Sequence, residues 1–163
     1  MLKHKTIDSP IGNLTIQSDG EFITAIYFQG EKPEVVETSC PITEKCAAQL
    51  HEYFAGERKI FDVPLKPKGG EFFQRVWKMM IERVPYGETS TYSEVAEMIG
   101  NKKAMRAVGM ANNRNPIPII IPCHRIVGKN KSLVGFRGGL YSKRFLLVLE
   151  HQSCKERCPD RPN

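Results

Sequence analysis

The chain of 163 residues contains no long hydrophobic segment, and this lack argues against a membrane protein. Its longest apolar stretch without a charged residue, residues 116–123, is far shorter than the ~18–20 residues that a transmembrane helix requires. The N-terminal residues Met1–Lys5 do not lead into an apolar segment either, so we expect no export signal. The composition predicts a cytoplasmic protein without a membrane partner.

Cysteine is scarce, and the number of cysteines is odd. The five residues are Cys40, Cys46, Cys123, Cys154 and Cys158. In a chain long enough to bury its own core, this favours free thiols in a reducing compartment over a disulfide framework. His151 precedes the last two cysteines, but their C-x3-C spacing differs from the C-x2-C of zinc sites. We therefore predict no metal and no cofactor.

Acidic residues become rare in the second part of the chain. Residues 1–65 hold 6 Lys and Arg against 10 Asp and Glu, a net charge of −4, whereas residues 66–163 hold 18 against 8, a net charge of +10. A protein that binds a polyanion such as nucleic acid shows this segregation, although a basic surface that meets only solvent has the same composition. The change of sign falls in the Pro- and Gly-containing residues 62–70, which we interpret as a linker.

We predict an α/β protein whose first domain, residues 1–65, is a small β-sheet with one helix and acts as a scaffold. Alternating apolar residues indicate strands at residues 2–7, 14–17 and 22–28, with turn sequences between them. A helical pattern follows, from near Thr43 to a stop at Gly56.

The second domain, residues 70–150, is predicted to be mostly helical and to contain a helix-turn-helix, followed by a tail of residues 151–163. One apolar helix face comprises Phe73, Val76, Trp77, Met80 and Ile81. A capping box, Thr91-x-x-Glu94, begins a short helix that Gly100 ends, and a second helix follows. The outward side of this second helix carries Lys102, Lys103, Arg106 and Arg114. A helix pair with such a face favours DNA binding.

One segment, residues 115–125, combines an apolar run with a candidate nucleophile. The apolar run predicts a buried strand that delivers Cys123 between Pro122 and His124. The thiolate is the reactive form of cysteine, and a neighbouring imidazole and positive charge increase its population. A cysteine that serves only as a small core residue has no need of polar neighbours, and burying them beside an inert thiol would cost several kcal/mol.

The ordered motifs resemble the O6-alkylguanine-DNA alkyltransferase family, also called methylated-DNA–protein-cysteine methyltransferases. The Pro-Cys-His-Arg motif at residues 122–125 follows the Asn-Pro-x-Pro motif at residues 115–118, as in that family. Further matching segments are residues 84–89 with Tyr92, residues 106–109 and residues 135–140. The resemblance covers residues 70–150 closely and the N-terminal strands more loosely.

The resemblance implies a DNA repair activity that removes the alkyl group of O6-alkylguanine in duplex DNA. Cys123 would accept the alkyl group, and His124, through a bound water, would form with Glu150 the relay that deprotonates the thiol. Tyr92 would donate a proton or a hydrogen bond to the departing guanine. The target nucleotide would have to leave the duplex, and each chain would act once, as a monomer. O4-alkylthymine stays open as a second substrate.

The same resemblance implies a DNA-binding surface and a substrate pocket. Arg106 would enter the duplex in place of the flipped nucleotide, and Asn115, also assigned to the DNA-binding set, would brace the turn after the recognition helix. The other DNA-binding positions are Lys102, Lys103, Ala107, Gly109 and Arg114. The pocket positions are Pro118, Arg125, Phe136, Arg137 and Gly138.

Three other functions are compatible with parts of the sequence. A helix-turn-helix regulator would explain the basic half of the chain but not Cys123. A cysteine hydrolase would explain a reactive cysteine, but the histidine of such enzymes lies far away in sequence. A lesion-binding protein that does not repair DNA carries another residue in place of the cysteine. A gain of one methyl group on Cys123 after incubation with methylated DNA would support repair against all three.

The charge distribution predicts salt-sensitive DNA binding. If the cations of the second helix and their neighbours meet roughly four to six phosphates, log affinity falls with log salt at a slope of about −4 to −5. The measurement is a titration of fluorescent duplex DNA with the protein at several salt concentrations. A flat dependence would show that the basic half of the chain meets only solvent.

Overall fold

The computed structural model describes residues 1–31 and 36–157, with side chains up to residue 154. Two compact units make up the chain, Met1–Lys68 and the part that begins at Gly69. Within the described ranges, no helix is long and apolar enough to span a membrane. The predicted α/β class is confirmed, since a small antiparallel sheet with one helix precedes a mostly helical part.

The first unit is built on an antiparallel sheet with the strand order β1-β2-β3. The strands are β1 (Lys3–Ile7), β2 (Leu14–Ser18) and β3 (Ile23–Phe28), close to the predicted bounds. Gly12 and Gly20 lie in the connecting turns with φ of +100° and +104°, which a glycine adopts without steric penalty. Leu14, Ile16 and Ile26 are fully buried and form the core of this unit.

One helix, α1 (Pro41–Phe54), packs on β1 and β2 and buries Cys46, Leu50 and Tyr53. It begins slightly before Thr43, the predicted start. Pro41 occupies the first turn, where its missing N–H costs no helical hydrogen bond. Thr43 Oγ1 accepts the backbone N–H of Cys40, the N-cap residue, at 2.9 Å. Thr43 therefore caps the helix from its third position and is not the first helical residue.

Part of the segment interpreted as a linker pairs with the edge of the sheet. The N–H of Ile23 donates to the Pro64 carbonyl at 2.8 Å, and the Ile23 carbonyl accepts the N–H of Lys66 at 2.9 Å. These two bonds form a parallel bridge between Leu65 and Ile23 of β3. An edge strand carries unpaired backbone groups, and an extended proline-containing segment satisfies some of them. Residues 64–66 therefore belong to the first unit.

The second unit begins with α2 (Glu71–Arg83), whose core residues are Val76, Trp77 and Met80. Ile81, predicted on the same apolar face, is 45% exposed near the end of the helix. Trp77 is buried and donates its Nε1–H to the Ala111 carbonyl at 2.8 Å, which ties α2 to α4 (Met105–Asn113).

The predicted helix-turn-helix consists of α3 (Tyr92–Met98) and α4. The capping box is present, because Thr91 Oγ1 accepts the N–H of Glu94 at 3.1 Å and Glu94 Oε1 accepts the N–H of Thr91 at 2.8 Å. Gly100, with φ +80°, ends α3. A 3₁₀ turn over Lys102–Ala104 then leads into α4.

Two very short strands position the remaining elements. β4 (Ser90–Thr91) and β5 (Ile126–Val127) pair in parallel, and α5 (Leu140–Arg157) completes the described chain. Because β4 directly precedes Tyr92 and β5 directly follows a 3₁₀ turn at Cys123–Arg125, this pairing brings the tyrosine and the cysteine segment to the same part of the unit.

Candidate active site and nucleic-acid interface

Cys123 lies at the end of a tight turn, so the buried strand predicted before it is wrong. Prolines at positions 116, 118 and 122 lack the N–H donors that a strand ladder needs. An isolated bridge joins Pro118 and Ile121 instead, and Ile119 has φ +75°. This left-handed conformation costs a β-branched residue about 1–2 kcal/mol, which the contacts of the turn must offset.

Asn115 holds this turn from the inside, as expected. Its Nδ2 donates to the Ile121 carbonyl at 2.8 Å, and its Oδ1 accepts the N–H of Ile117 at 2.9 Å. The residue is only 1% exposed. Both polar ends of its amide are used within the protein, which supports the bracing role, whereas its assignment to the DNA-binding set stays a prediction.

Glu150 of α5 joins the two residues that follow Cys123 in one buried network. Its Oε2 lies 2.6 Å from His124 Nε2, and the two side chains are 1% and 0% exposed. Arg125 donates its Nε–H to Glu150 Oε1 at 2.8 Å and its Nη2–H to Oε2 at 3.1 Å. The N–H of Gly87 adds a weaker bond to Oε1 at 3.3 Å. A bidentate guanidinium–carboxylate pair of this kind is among the stronger polar contacts in proteins.

Arg125, predicted to line the substrate pocket, belongs to this network. Its third nitrogen, Nη1, donates to the Val84 carbonyl at 2.9 Å, and the guanidinium carbon lies 5.7 Å from the ring centre of Tyr86. All three guanidinium nitrogens therefore bind protein groups. The motif alone could not separate the two roles, since the partner carboxylate lies 25 positions away in sequence.

The charges in this network favour an ionised Glu150 and a neutral His124. Burial opposes the charge on Glu150, but His124 and Arg125 outweigh it and hold the pKa of the carboxyl well below its usual range. Burial lowers the pKa of His124, and the positive charges of Arg125 and Lys143 lower it further. Together they outweigh Glu150, which raises this pKa through its charge and its hydrogen bond. Both shifts leave the pair in these forms at neutral pH.

The hydrogen bond between these two side chains determines which ring nitrogen is the base. A carboxylate only accepts hydrogen bonds, so Nε2 of His124 carries the ring proton and donates it to Glu150. Nδ1 is buried and has no hydrogen-bond partner among the described residues. Its lone pair is therefore available to accept a proton.

The thiol of Cys123 is protonated at neutral pH. The residue is 5% exposed, and burial raises the pKa of the thiol. A hydrogen bond with Asn115 and the charges of Arg137 and Lys143 act in the opposite direction but do not outweigh burial. The positive charges expected from the sequence are present, yet the thiol still needs a base, and His124 is its neighbour in the chain.

Sequence reasoning missed Lys143, a fully buried lysine on α5. Its Nζ donates to the carbonyls of Ile126 at 2.6 Å and Val134 at 2.7 Å, which ties β5 to the loop before α5. Burial lowers the pKa of Lys143 to about 8, although a negative charge on Cys123 would raise it. A signal existed, because positions 143, 146 and 150 fall on one side of a helix and predict a buried stripe.

Tyr92, the first residue of α3, is a neighbour of both α4 and the thiol. A Cβ atom at Gly109 of α4 would lie 3.9 Å from the Tyr92 ring. Burial raises the pKa of Tyr92, and a negative charge on Cys123 raises it further. A hydrogen bond with Asn112 lowers this pKa but does not outweigh burial. The phenol is therefore a proton carrier at neutral pH and can donate to a group beside the thiol.

The four cations predicted on the second helix are exposed, but only Arg106 lies within α4. Lys102 and Lys103 lie in the preceding 3₁₀ turn and Arg114 directly follows the helix, while Ala107 and Gly109 are half-buried. No Asp or Glu occurs in the sequence between Glu97 and Glu150, so this segment carries positive charge only. Such a surface attracts the phosphates of a nucleic acid.

The other pocket positions lie in the turn before Cys123 and in the loop that precedes α5. Pro118 is buried, Phe136 and Gly138 are half-buried, and Arg137 is exposed. Arg137 Nη1 donates to the Asn115 carbonyl at 2.5 Å, so this loop is anchored to the turn that carries the thiol.

The described residues contain no group of three His, Cys, Asp or Glu side chains that could hold a metal ion. Cys158, part of the C-x3-C pair considered as a zinc site, lies outside the described residues.

The lowered pKa of Glu150 predicts how acid affects stability. A carboxylate whose pKa is depressed by folding stabilises the protein above its unfolded pKa of about 4.3, and this contribution is lost as pH falls toward the folded value. The Glu150→Gln variant lacks that contribution and leaves the Arg125 charge unpaired, which should cost about 3–5 kcal/mol at pH 7. The difference in unfolding free energy between the two proteins should therefore shrink as pH falls below about 5.

Urea unfolding at pH 7, 5, 4 and 3 measures this difference. The matched control is Glu82→Gln, which removes an exposed carboxylate 3.9 Å from Lys78 and should cost less than about 1 kcal/mol. Parallel stability curves for the wild type and Glu150→Gln would contradict the assignment of an ionised, paired Glu150.

The two parts of the chain match two family models. The model described as 6-O-methylguanine DNA methyltransferase, ribonuclease-like domain, matches residues 2–67. The model described as 6-O-methylguanine DNA methyltransferase, DNA binding domain, matches residues 71–152 and so includes the whole network around Cys123.

Individual relatives give the same result. The methylated-DNA–protein-cysteine methyltransferase of Methanosarcina acetivorans is 50% identical over 148 residues, which cover 88% of this chain and 94% of the relative. The constitutive enzyme of that name from Bacillus subtilis is 43% identical over 163 residues, covering 94% and 98%. A crystal structure of Mycobacterium tuberculosis O6-methylguanine methyltransferase matches with a TM-score of 0.85 and 43% identity over 94% of each chain. A structure of the M. tuberculosis protein in complex with DNA matches with a TM-score of 0.85 and 45% identity, over 93% of this chain and 94% of that one. The chain belongs to the 6-O-methylguanine DNA methyltransferase family and shares the enzyme class of these relatives, methylated-DNA–protein-cysteine methyltransferase.

Proposed function

We propose that this protein repairs O6-alkylguanine in double-stranded DNA by transferring the alkyl group irreversibly to Sγ of its own Cys123. The observation that carries the proposal is the buried network of His124, Arg125 and Glu150, whose first two members directly follow the thiol in the chain. The structure of the M. tuberculosis relative in complex with DNA supports DNA as the partner. One chain supplies every group that the reaction needs, so a monomer suffices.

The first step is removal of the thiol proton. Burial raises the pKa of Cys123, so the proton must pass to a base, and Nδ1 of His124 accepts it through an intervening water. The imidazolium that forms is stabilised by Glu150, which Arg125 holds in its ionised form. This is the nucleophile, base and orienting-carboxylate arrangement of a hydrolytic triad.

The second step is an in-line displacement at the alkyl carbon. A bond forms between Sγ and carbon while the bond between carbon and O6 breaks, and the electron pair of that bond passes to the guanine. Tyr92 neutralises the departing base by donating its phenolic proton, since its raised pKa keeps it protonated at neutral pH. The products are a thioether and an unmodified guanine. A thioether has no group that water displaces readily, so each chain reacts once.

The lesion must leave the base stack before it can reach a buried thiol. Extrusion of a nucleotide costs a few kcal/mol, and the exposed Arg106 offsets part of this cost by filling the space that the nucleotide leaves. The neighbouring cations Lys102, Lys103 and Arg114 contact phosphates and supply affinity that does not depend on sequence.

The Cys123→Ser variant tests the acceptor. A hydroxyl is far less nucleophilic than a thiol at neutral pH, so we expect no transfer, while DNA affinity stays largely unchanged because the thiol contacts no phosphate. The measurement is the intact protein mass after incubation with O6-methylguanine duplex DNA, together with a binding titration. The control is Cys40→Ser, a helix N-cap position where serine is favourable, which should still gain one methyl group. Methyl transfer to the Cys123→Ser protein would exclude Cys123 as the acceptor.

The Arg106→Ala variant tests the extrusion step. Loss of a side chain that fills the gap should penalise extrusion by about 1–3 kcal/mol, or roughly 5- to 150-fold in the rate of duplex repair. The rate with the free base O6-benzylguanine should stay nearly unchanged, because that substrate needs no extrusion. Arg83→Ala, at the end of α2, is the control for loss of one exposed arginine. Equal slowing with both substrates would show that Arg106 supports the pocket rather than extrusion, and a thermal melt by circular dichroism checks the fold.

A further inference from the structure

Two methionines of α4 are not part of the hydrophobic core and are about half exposed. Met105 is 49% exposed and Met110 is 50% exposed, whereas the buried residues of this helix are Val108, Ala111 and Asn112. Met110 lies one helical turn after Arg106, about 40° from it around the helix axis, and Met105 directly precedes Arg106, about 100° away on the other side. Half of each side chain therefore has no protein surface to cover it.

The surroundings of these methionines indicate which partner covers them. Exposed cations lie on both sides, with Lys102 and Lys103 before Met105 and Arg114 after Met110. No carboxylate occurs in the sequence between Glu97 and Glu150. An apolar centre with cations on both sides is complementary to a groove of duplex DNA, where phosphates meet the cations and sugars and bases meet the centre.

The chemistry of the side chains favours intercalating contacts over base reading. Methionine is unbranched and polarizable and adapts to irregular surfaces. It is among the apolar side chains that proteins insert between base steps from the minor groove, where they unstack the bases. The cations of this surface can bond phosphates in any sequence, and its exposed amide is Asn113, so the apolar centre itself carries no group that reads a base edge. A protein that must find damage in any sequence needs this property.

The methionines also lie close to the path toward the thiol. Gly109 lies between Arg106 and Met110 along α4, and a Cβ there would lie 3.9 Å from the ring of Tyr92. Tyr92 in turn is near enough to Cys123 for a charge on the thiol to affect its pKa. A nucleotide displaced at this part of α4 therefore emerges beside the reactive group.

We propose that Met105 and Met110 are apolar wedges that enter the minor groove on both sides of Arg106 and stabilise the extruded state of the lesion. This inference rests on the proposed function and adds two residues that determine the efficiency of extrusion. The wedges act on the DNA strand that loses the nucleotide, while Arg106 fills the vacated space.

The test is the double variant Met105→Gln/Met110→Gln, which keeps side-chain length, helix propensity and net charge while removing the apolar ends. We expect duplex repair to slow by about 10-fold, with an unchanged salt slope because no phosphate contact is lost. The rate with free O6-benzylguanine should stay within about two-fold. The Met105→Leu/Met110→Leu variant should restore duplex repair, since leucine keeps the apolar contact. Ile81→Gln on α2, which alters a side chain of 45% exposure, is the matched control.

A second measurement does not depend on alkyl transfer. In the Cys123→Ser background, a duplex with 2-aminopurine beside O6-methylguanine should brighten when the protein binds, because unstacking relieves quenching. The double glutamine variant should lose most of this increase. An unchanged duplex rate, equal slowing with the free base, or an undiminished 2-aminopurine signal would each overturn the wedge role. Failure of the unmodified protein to gain a methyl group would instead overturn the proposed function, so the two failures are distinguishable.

Discussion

The rest of the site depends on one buried carboxylate, that of Glu150. Its bonds to Arg125 and His124 join α5 to the turn after Cys123, and its contact with Gly87 reaches a segment 63 positions earlier. A buried charge is tolerated only when it is paired and hydrogen-bonded, so these partners are a condition of folding as well as of reactivity. The same interaction sets the tautomer of His124 and leaves the lone pair of Nδ1 available to accept a proton. The bonds that allow Glu150 to be buried are therefore the same bonds that orient His124.

The thiol is held in an unreactive state until a substrate and a base are in place. Burial raises the pKa of Cys123, although Lys143 and Arg137 contribute positive charge nearby. A freely ionised, exposed thiolate reacts with many electrophiles. A buried, protonated thiol next to a neutral imidazole avoids such reactions and can still be ionised by proton transfer. The left-handed backbone of Ile119 and the amide of Asn115 fix the turn before Cys123 and so hold the sulfur at a defined position.

The nucleic-acid surface and the reactive group are linked by short connections within the second unit. Pairing of β4 with β5 brings the start of α3 to the turn that carries Cys123, and Trp77 ties α2 to α4 through a buried hydrogen bond. Tyr92 lies against Gly109 of α4, and its pKa is raised further by a negative charge on the thiol. The tyrosine is therefore placed where α4 and the reactive group both influence it.

Local patterns in the sequence determined the elements and the chemical identity of the nucleophile. Alternation predicted the three N-terminal strands, and the Thr91–Glu94 capping box predicted the start of α3, because these signals arise within a few residues. The order of the motifs around Cys123 indicated the family. The segment of residues 117–121 was misinterpreted, since an apolar run looks the same in a buried strand and in a buried turn.

Only the tertiary structure decided the partners of the polar residues. The sequence contains Arg125, Lys143 and Glu150, but not the information that the first binds the third or that the lysine bonds two distant carbonyls. These pairings join positions far apart in the chain and depend on how α5 packs against the cysteine turn. Burial then sets the pKa shifts, because desolvation is a property of the packed interior and leaves no local sequence pattern.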